Sequence, residues 1–364
     1  MRDLLERARR LGRERFAALV EAGEPRRVNR PLVRALSEEG LLERVFEGTA
    51  LDLCLLREGL AQTCTEAETA LALQGLGGHP ILRGARRELR DEWIPRLAAG
   101  EAVAAFALSE PAAGSDAASL ALRADRDGDG FRLTGTKTWI SNAPDADVYT
   151  VFARTTLGVG RRGITAFVVP RDSDGLSGTP LELLAPHPIG RLDFDGVAVG
   201  ADQVLGDVDG GFALAMETLD LFRPSVGAFA VGMAQAALDA ALAHTARREA
   251  FGRPLADFQA VSHRLADVAT RVHAARLLVR DAASAYDARG AGVRRTSAMA
   301  KLLATETAQE AVDVAIQVHG ARALERGHLL EHLYREVSAP RIYEVASEVQ
   351  REIIARELFR EARA

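Results

Sequence analysis

The stretch Phe131-Arg-Leu-Thr-Gly135 alternates apolar and polar side chains and then runs into Lys137-Thr-Trp-Ile140. Alternation with a period of two is typical of a β-strand that buries one face. Three further strand-like runs follow, and Gly, Asp and Pro residues separate them: Val148–Phe152, Ile164–Pro170 and Leu192–Val199. A block of about 100 residues built from short strands predicts a β-sandwich or β-barrel.

Helical periodicity flanks this β block on both sides. Before it, Leu51, Leu55, Leu56 and Leu60 follow helical spacing, and Pro31 and Pro80 indicate breaks. After it, long amphipathic segments are separated by Gly and Pro residues. The order predicts an α+β fold with an N-terminal helical domain (1–102), a middle β-barrel or sandwich domain (103–207) and a C-terminal antiparallel helical bundle (208–364). This order excludes a doubly wound parallel sheet.

The composition is that of an ordinary globular protein. The chain has 364 residues, of which 48% are hydrophobic and 27% charged, so collagen-like and largely disordered classes are excluded. The formal net charge of −5 argues against nucleic acid as a partner. No apolar run reaches the roughly 20 residues that span a bilayer, so no membrane association is expected. Of the 46 basic residues only Lys137 and Lys301 are lysines, a bias that we attribute to a GC-rich genome.

The cysteines and the N-terminus bear on the compartment. Two cysteines, Cys54 and Cys64, give no disulfide framework and no four-ligand zinc site, which indicates a reducing cytoplasm. Asp3, Glu6 and Glu14 interrupt the basic start of the chain, whereas transit peptides are poor in acidic residues. We therefore expect a cytoplasmic protein.

Two short motifs have competing interpretations. Gly158-Val-Gly160-Arg-Arg-Gly163 matches the letters of a dinucleotide-binding loop, but strands lie on both sides, so a hairpin loop is expected. His328-Leu-Leu-Glu331-His332 matches an inverted zinc-peptidase signature. The favoured interpretation is a polar helix face or a subunit contact, with no metal. A zinc hydrolase using His328, Glu331 and His332 is kept as the alternative from a different class.

Five blocks of the sequence resemble the acyl-CoA dehydrogenase family. They occur in the family's order. The predicted domain order agrees with the family's architecture, which is a helical domain, a β-barrel and a C-terminal antiparallel four-helix bundle. The blocks are Phe106–Asp116, Gly135–Ala143, Arg248–Gln259, Gln317–Gly320 and Ile342–Gln350. The resemblance implies an FAD-dependent enzyme.

The resemblance also implies which residues bind the flavin. Backbone and hydroxyl groups of the first block would contact it, Trp139 would pack near its ring system and Ser141 would bond its reactive edge. The residues predicted to bind FAD are Leu108, Ser109, Gly114, Ser115, Trp139, Ile140, Ser141, Arg248, Phe251, Gln259, Gln317, Gly320, Ser347 and Glu348. Arg248 would reach the pyrophosphate of a neighbouring subunit's FAD, and Phe251 and Gln259 would flank it. A shared site of this kind requires an oligomer, and the family is usually a homotetramer.

Glu344 is the predicted catalytic base. The reaction implied by the resemblance is α,β-dehydrogenation of an acyl-CoA thioester, in which a base removes the α-proton while the β-hydrogen leaves as hydride. Some family members carry the base on an earlier helix, but the corresponding position here is Phe222, which cannot accept a proton. Ser115, Asp220, Arg223 and Val345 are predicted to lie on the substrate side.

The chain departs from the family pattern beside this base. The family usually has Gly-Thr after the catalytic Glu, whereas this chain has Val345-Ala346. The departure leaves the acyl group open, and also the thiol carrier, which is CoA or an acyl carrier protein.

The predicted function is formation of trans-2-enoyl-CoA in fatty acid metabolism, with electrons passed to an electron-transfer flavoprotein. The alternatives on the same fold are an acyl-CoA oxidase and a flavin monooxygenase. Since a monooxygenase needs no α-proton base, Glu344 weighs against that class.

Overall fold

The computed structural model describes residues 2–290 and 292–363. Helices occupy the chain before residue 100 and again after residue 210. The helices before the sheet are α1 (Arg2–Leu11), α2 (Ala17–Glu21), α3 (Arg30–Glu38), α4 (Leu41–Glu47), α5 (Ala50–Ala61), α6 (Thr65–Gly84) and α7 (Arg87–Ala98). Those after it are α8 (Gly211–Arg247), α9 (Gln259–Asp287), α10 (Val293–His319), α11 (Leu329–Val337) and α12 (Ser347–Ala362).

The middle of the chain forms a mixed β-sheet, which confirms the predicted α+β class. Its strands are β1 (Ala104–Ala107), β2 (Arg123–Asp127), β3 (Gly130–Ser141), β4 (Val148–Arg154), β5 (Ile164–Pro170), β6 (Leu176–Pro180), β7 (Ile189–Val199) and β8 (Val204–Leu205). The order is β6-β7-β3-β2-β4-β5-β8, and β1 pairs in parallel with β4. A separate hairpin pairs β9 (Glu249–Ala250) with β10 (Arg253–Pro254). In β3, Phe131 and Leu133 are buried and Arg132 is exposed, as the alternation predicts.

The chain divides into two compact units. The first contains the described parts of Met1–Glu14, Thr49–Glu68 and Asp220–Ala364, and the second contains Arg15–Gly48 and Thr69–Leu219. Because helix α5 belongs to the first unit, the helices before the sheet are shared between the two units. The predicted division into the three consecutive domains 1–102, 103–207 and 208–364 stays a prediction.

In the second unit, helices are fastened to the sheet by polar contacts. Arg30 donates to the Asp147 carboxylate at 2.8 Å, and the Gln74 side chain on α6 accepts from the Ala104 N–H on β1 at 2.8 Å. A Cβ at Gly77 would lie 2.7 Å from Ala104, so only glycine allows α6 to approach β1 this closely. Pro80 lies inside α6 and does not end it, contrary to the break expected from the sequence.

The first unit is a stack of long helices with a core of small apolar residues. Helix α10 packs against α9, α11 and α12, and α5 packs against α1 and α9. The core is rich in alanine and valine, including Ala237, Ala275 and Ala308. Close approach of the backbones is visible at Gly232 of α8, where a Cβ would lie 2.6 Å from Ala61.

Helix α8 is long and apolar enough to cross a membrane by length and composition alone. The mean hydropathy of its most apolar 18-residue window is 1.5, and 72% of that window is buried inside the structure. Such burial is what a core helix shows.

Candidate active site

Glu344 lies on a left-handed turn between α11 and α12. The φ angles of Glu344 and Val345 are +46° and +81°. A β-branched residue rarely adopts positive φ, so the surrounding structure must hold the turn. Lys301 on α10 donates from Nζ to the Val345 carbonyl at 2.8 Å, and Gln350 on α12 donates to the same oxygen at 3.1 Å. Both side chains that hold the turn are buried.

The surroundings of the Glu344 carboxyl group change its affinity for a proton. Its Oε2 atom is buried and accepts no hydrogen bond among the described residues. Burial raises the pKa of Glu344 above its ordinary value. The positive charges of Arg57, Lys301 and Arg223 oppose this rise in the pKa. A carboxylate with a raised pKa and an oxygen that has no hydrogen-bond partner among the described residues is suited to accept a proton.

Two of these three cations form ion pairs with carboxylates other than that of Glu344. Arg57 forms a buried ion pair with Glu68 and also donates to Ser225 Oγ at 2.6 Å. Arg223 donates to Asp220 Oδ1 at 2.5 Å, and burial lowers the pKa of the Arg223 guanidinium. Lys301 donates to a backbone carbonyl instead, and burial lowers its pKa to about 8.

The start of α12 places Ser347 and Glu348 in different surroundings. Ser347 is buried and its hydroxyl donates to Glu306 Oε1 at 2.8 Å. Glu348 is exposed and lies 3.7 Å from Arg351. Ser347 therefore anchors the helix that follows the Glu344 turn, and Glu348 is left on the surface.

In the second unit, a buried ion pair fixes the turn that carries Leu108 and Ser109. Lys137 on β3 donates to the Leu108 carbonyl at 2.8 Å and to Glu110 Oε1 at 2.7 Å. The Thr138 N–H donates to the Ser109 carbonyl at 3.0 Å. These contacts bring the first and second predicted flavin segments together.

Trp139 projects from an irregularity in β3. Pairing with β7 shifts between Lys137 and Ile140, and Trp139 there has a φ of +55°. Its side chain is 48% exposed, whereas Ile140 is buried and Ser141 is half-buried. A large aromatic ring exposed on strained backbone is costly unless it contacts a ligand.

Gly114 and Ser115 are exposed on the loop after β1, and their surroundings leave room for a ligand. A Cβ built at Gly114 would meet no described atom within 4 Å. The roles predicted for both residues stay predictions.

A basic cleft of about 910 Å³ lies near Arg248 in the first unit. The rings of His244 and His319 stack at 4.1 Å, and the rings of His319 and His328 lie 5.6 Å apart. The cleft is also lined by Arg247, Arg248, Arg322 and Glu325. Burial lowers the pKa of His244 and of His319. Guanidinium groups in such number suit a phosphorylated ligand.

The remaining predicted flavin residues of the first unit are exposed. Gln259 begins α9, Gln317 lies near the end of α10, and Gly320 ends that helix with a φ of +69°. Phe251 is 96% exposed at a φ of +53°, and its ring lies 6.3 Å from that of Phe258.

The three residues of the zinc-hydrolase alternative have separate partners. His328 accepts from the Leu330 N–H through Nδ1, and Glu331 pairs with Arg335 at 2.9 Å. His332 bonds Thr65 at 2.6 Å and lies near Glu66 and Glu336. Among the described residues, His328 and Glu331 do not join His332 in a cluster that could hold a metal, so the zinc hydrolase is not supported.

Sequence reasoning missed four charged residues that shape these sites: Arg57, Lys301, Lys137 and Glu110. The two lysines carried a signal, because they are the only lysines in the chain. Arg57 carried no such signal, because the chain contains 44 arginines. Glu110 carried none either, because it lies in a block that was interpreted through its backbone and hydroxyl groups.

The whole chain matches models of one family. The N-terminal, middle and C-terminal domains of acyl-CoA dehydrogenase match residues 1–101, 105–197 and 209–359. The chain belongs to the acyl-CoA dehydrogenase family. It is therefore an oxidoreductase, as its sequence predicts.

Individual relatives agree with this assignment. The chain is 35% identical to a cyclohexane-1-carbonyl-CoA dehydrogenase of Geobacter metallireducens, with 100% of this chain and 98% of the relative covered. It is 34% identical to the mitochondrial short-chain specific acyl-CoA dehydrogenase of Bos taurus, with 97% and 88% covered.

Solved structures share the fold over nearly the full length. Butyryl-CoA dehydrogenase from Megasphaera elsdenii matches with a TM-score of 0.91 at 30% identity, covering 98% of this chain and 97% of that one. A chain in a structure of the electron transferring flavoprotein of Acidaminococcus fermentans matches with a TM-score of 0.91 at 30% identity, covering 99% and 97%. The FAD complex of PigA matches with a TM-score of 0.91 at 26% identity, covering 98% and 96%.

The cofactor of this acyl-CoA dehydrogenase is FAD, and the residues present fit it. In the second unit, the exposed Trp139 ring offers an aromatic wall and the open space at Gly114 admits a ligand. In the first unit, Arg248 lines a basic cleft suited to phosphate. Each set, taken by itself, supplies contacts of a kind that a flavin dinucleotide uses.

Proposed function

We propose that this acyl-CoA dehydrogenase oxidises an acyl-CoA thioester to the trans-2-enoyl-CoA, with Glu344 as the base that removes the α-proton. The observation that carries the proposal is the Glu344 carboxyl itself. It has a buried oxygen without a hydrogen bond and a pKa raised by burial, and it is presented from a braced turn. Bound FAD supplies the acceptor for the β-hydride.

The surrounding side chains support that role for Glu344. The positive charges of Arg57 and Lys301 stabilise the carboxylate and so oppose the rise in its pKa that burial causes. Phe222, at the position where some relatives carry the base, is buried and has no proton-accepting group. Glu344 therefore takes the α-proton and holds it on its carboxyl oxygen.

We infer a short or compact cyclic acyl group. Val345 is half-buried beside the base and is larger than the glycine that is usual there in the family. Arg223 and Asp220 form an ion pair, so together they offer the substrate no net charge. The relatives at 34–35% identity are named for short-chain and cyclohexane-1-carbonyl substrates. Ser115 is the remaining residue that we assign to the substrate side, and CoA is the carrier that we propose.

The electron acceptor that we propose is an electron-transfer flavoprotein, since a chain in a structure of such a flavoprotein shares this fold. We propose a homotetramer as well. Phe251 is almost fully exposed on strained backbone and Arg248 is exposed beside it, which suits contact with the FAD of a neighbouring copy. We also propose that the protein is cytoplasmic and acts in fatty acid metabolism.

Anaerobic titration of the purified yellow protein tests the reaction. Butyryl-CoA, cyclohexane-1-carbonyl-CoA, octanoyl-CoA and glutaryl-CoA are added in turn, and bleaching of the flavin absorbance is recorded. We expect bleaching with one or both of the first two. Retention of the full flavin absorbance with all four thioesters would refute the proposal, and rapid peroxide formation in air would indicate an oxidase.

The base is tested with Glu344→Gln and a matched control. The variant is expected to keep its FAD and to reduce it at least about 1,000-fold more slowly, because the amide cannot accept the proton. Glu352→Gln, an exposed residue of α12 to which no role is assigned, is expected to reduce FAD at the wild-type rate. A Glu344→Gln rate within tenfold of wild type would show that another group is the base.

A further inference from the structure

The two lysines of the chain share two features, namely a buried side chain and a hydrogen bond to a backbone carbonyl. Of the 46 basic residues 44 are arginines, and the exceptions are Lys137 and Lys301. Both lysine side chains are fully buried. Each donates from Nζ to a backbone carbonyl, Lys137 to Leu108 and Lys301 to Val345, and both carbonyls lie in segments assigned to the active site.

The surroundings of Lys301 require an ammonium group. It lies within α10, where Ala298, Ala300 and Ala304 are also fully buried. A guanidinium is planar and carries five N–H donors, whereas an ammonium is compact and has three. The Lys301 head group donates to one carbonyl oxygen, that of Val345, at 2.8 Å. Arginine would leave more buried donors without acceptors than lysine does.

The bond from Lys301 acts on the turn that carries Glu344. Both residues of this turn have positive φ, and one of them is a valine. The turn is held from two directions, by Lys301 on α10 and by Gln350 on α12. Gln350 also donates to the Glu344 carbonyl at 3.3 Å. The turn therefore keeps a second brace if the lysine is removed.

We propose that Lys301 is a positioning residue for Glu344, because its ammonium group fixes the Val345 carbonyl and places a positive charge beside the carboxylate. The proposal rests on the proposed function in one respect, the role of Glu344 as base. Lys301 itself transfers no proton and contacts no reacting atom.

Two charges besides Lys301 face Glu344 and remain when the lysine is replaced. They belong to Arg57 on α5 and Arg223 on α8. Glu68 on α6 acts in the opposite direction, because its negative charge disfavours the carboxylate. Removal of Lys301 should therefore shift the pKa of Glu344 upwards without abolishing its ionisation.

Three variants separate positioning from general stability. Lys301→Met removes the donor and the charge at similar volume, and Lys301→Arg keeps the charge but not the shape. Thr305→Val is the matched control, since Thr305 is equally buried one turn further along α10 and its hydroxyl donates to the backbone carbonyls of Lys301 and Leu302 in the same helix. All three are compared with wild type for FAD content, KM, kcat and the pH dependence of flavin reduction.

The expected result is specific to kcat and to pH. Lys301→Met should retain FAD and should lower kcat about 100-fold with KM changed less than threefold, as a displaced catalytic group does. The acid limb of its pH profile should move to higher pH. Lys301→Arg should not restore kcat, and Thr305→Val should leave kcat and the pH profile unchanged. An unshifted acid limb in Lys301→Met, or a kcat within threefold of wild type, would overturn the proposal.

A second measurement needs no substrate. Urea midpoints at pH 7 are determined for wild type, Lys301→Met, Glu344→Gln and the double variant. Coupling predicts that Lys301→Met lowers the midpoint less in the Glu344→Gln background than in wild type. Equal shifts in both backgrounds would contradict the proposal even if the protein dehydrogenates acyl-CoA. Unequal shifts without any flavin reduction by acyl-CoA would support the link between the two residues and refute the proposed function alone.

Discussion

The Nζ atom of Lys137 lies 2.7 Å from Oε1 of Glu110, and both side chains are buried. The Glu110 carboxylate also accepts from the N–H groups of Ala121 at 2.6 Å and Leu122 at 3.0 Å. The pair therefore joins β3 to the loop that carries Ser109 and Ser115. A charge pair that is this well bonded fixes a loop, and breaking it leaves one charge buried.

Removal of the lysine should destabilise the fold and the cofactor site together. We expect Lys137→Met to lower the free energy of unfolding by about 3 kcal/mol, because Glu110 keeps its two N–H donors but loses its countercharge. Fewer molecules should retain FAD after dialysis. Urea unfolding and the flavin-to-protein absorbance ratio measure the two effects.

The exposed pair of Arg123 and Asp125 in the same unit provides the control. Arg123→Met should change the free energy of unfolding by less than about 1 kcal/mol, since a solvated ion pair contributes little. A Lys137→Met protein as stable as Arg123→Met would contradict the importance of the buried pair.

The same lysine predicts a rise of stability with pH. Burial lowers the pKa of Lys137 to about 8, whereas an unfolded lysine titrates near 10.5. Between these pH values the unfolded chain binds the proton that the folded chain has released, so the free energy of unfolding increases with pH. For one lysine the full increase is about 3 kcal/mol.

Comparison with Lys137→Met isolates this contribution. The difference in free energy of unfolding between wild type and variant should grow in favour of wild type from pH 8 to pH 10, as measured by urea denaturation at each pH. A difference that is constant with pH would mean that Lys137 keeps an ordinary pKa in the folded protein.

The sequence predicts elements whose local pattern agrees with their surroundings. Alternation at Phe131 and Leu133 gives the strand and its buried face, and Pro31 correctly marks the start of α3. Pro80 predicts a break that the structure does not contain, because tertiary packing keeps α6 continuous past it. The assignment of α5 to the compact unit that contains α9–α12 depends on packing between residues distant in sequence, which periodicity does not reveal.

The candidate site is predictable only in part, for a related reason. The motif blocks predict Glu344 and Trp139 but not their left-handed backbone, which sequence patterns do not encode for a glutamate or a tryptophan. Lys301 and Lys137 lie on different elements from the carbonyls to which they donate, those of Val345 and Leu108. No single sequence motif therefore contains both the lysine and the carbonyl that it holds. Rare residue types were the one sequence signal that marked them.

Arg57 should set the lower pH limit of activity. Among the charges that lower the pKa of Glu344, that of Arg57 has the largest effect. In Arg57→Gln we therefore expect the acid limb of kcat/KM to move up by about one pH unit. Arg57→Lys keeps the positive charge, and its acid limb should stay near that of wild type. The profiles are measured by stopped-flow flavin reduction between pH 5 and pH 9. If the acid limb of kcat/KM lies at the same pH in both variants, Arg57 does not act on Glu344 through its charge.

Val345 should limit both stability and the range of acyl groups. Its φ of +81° costs a β-branched residue about 1–2 kcal/mol, a cost that glycine does not have. Val345→Gly should therefore raise the free energy of unfolding by about 1 kcal/mol, whereas Val349→Gly within α12 should lower it by about 1 kcal/mol. Because the smaller residue also opens space beside the base, Val345→Gly should increase kcat/KM for octanoyl-CoA relative to butyryl-CoA. A destabilised Val345→Gly protein with an unchanged ratio of the two substrates would show that the valine is neither strained nor in contact with the acyl chain.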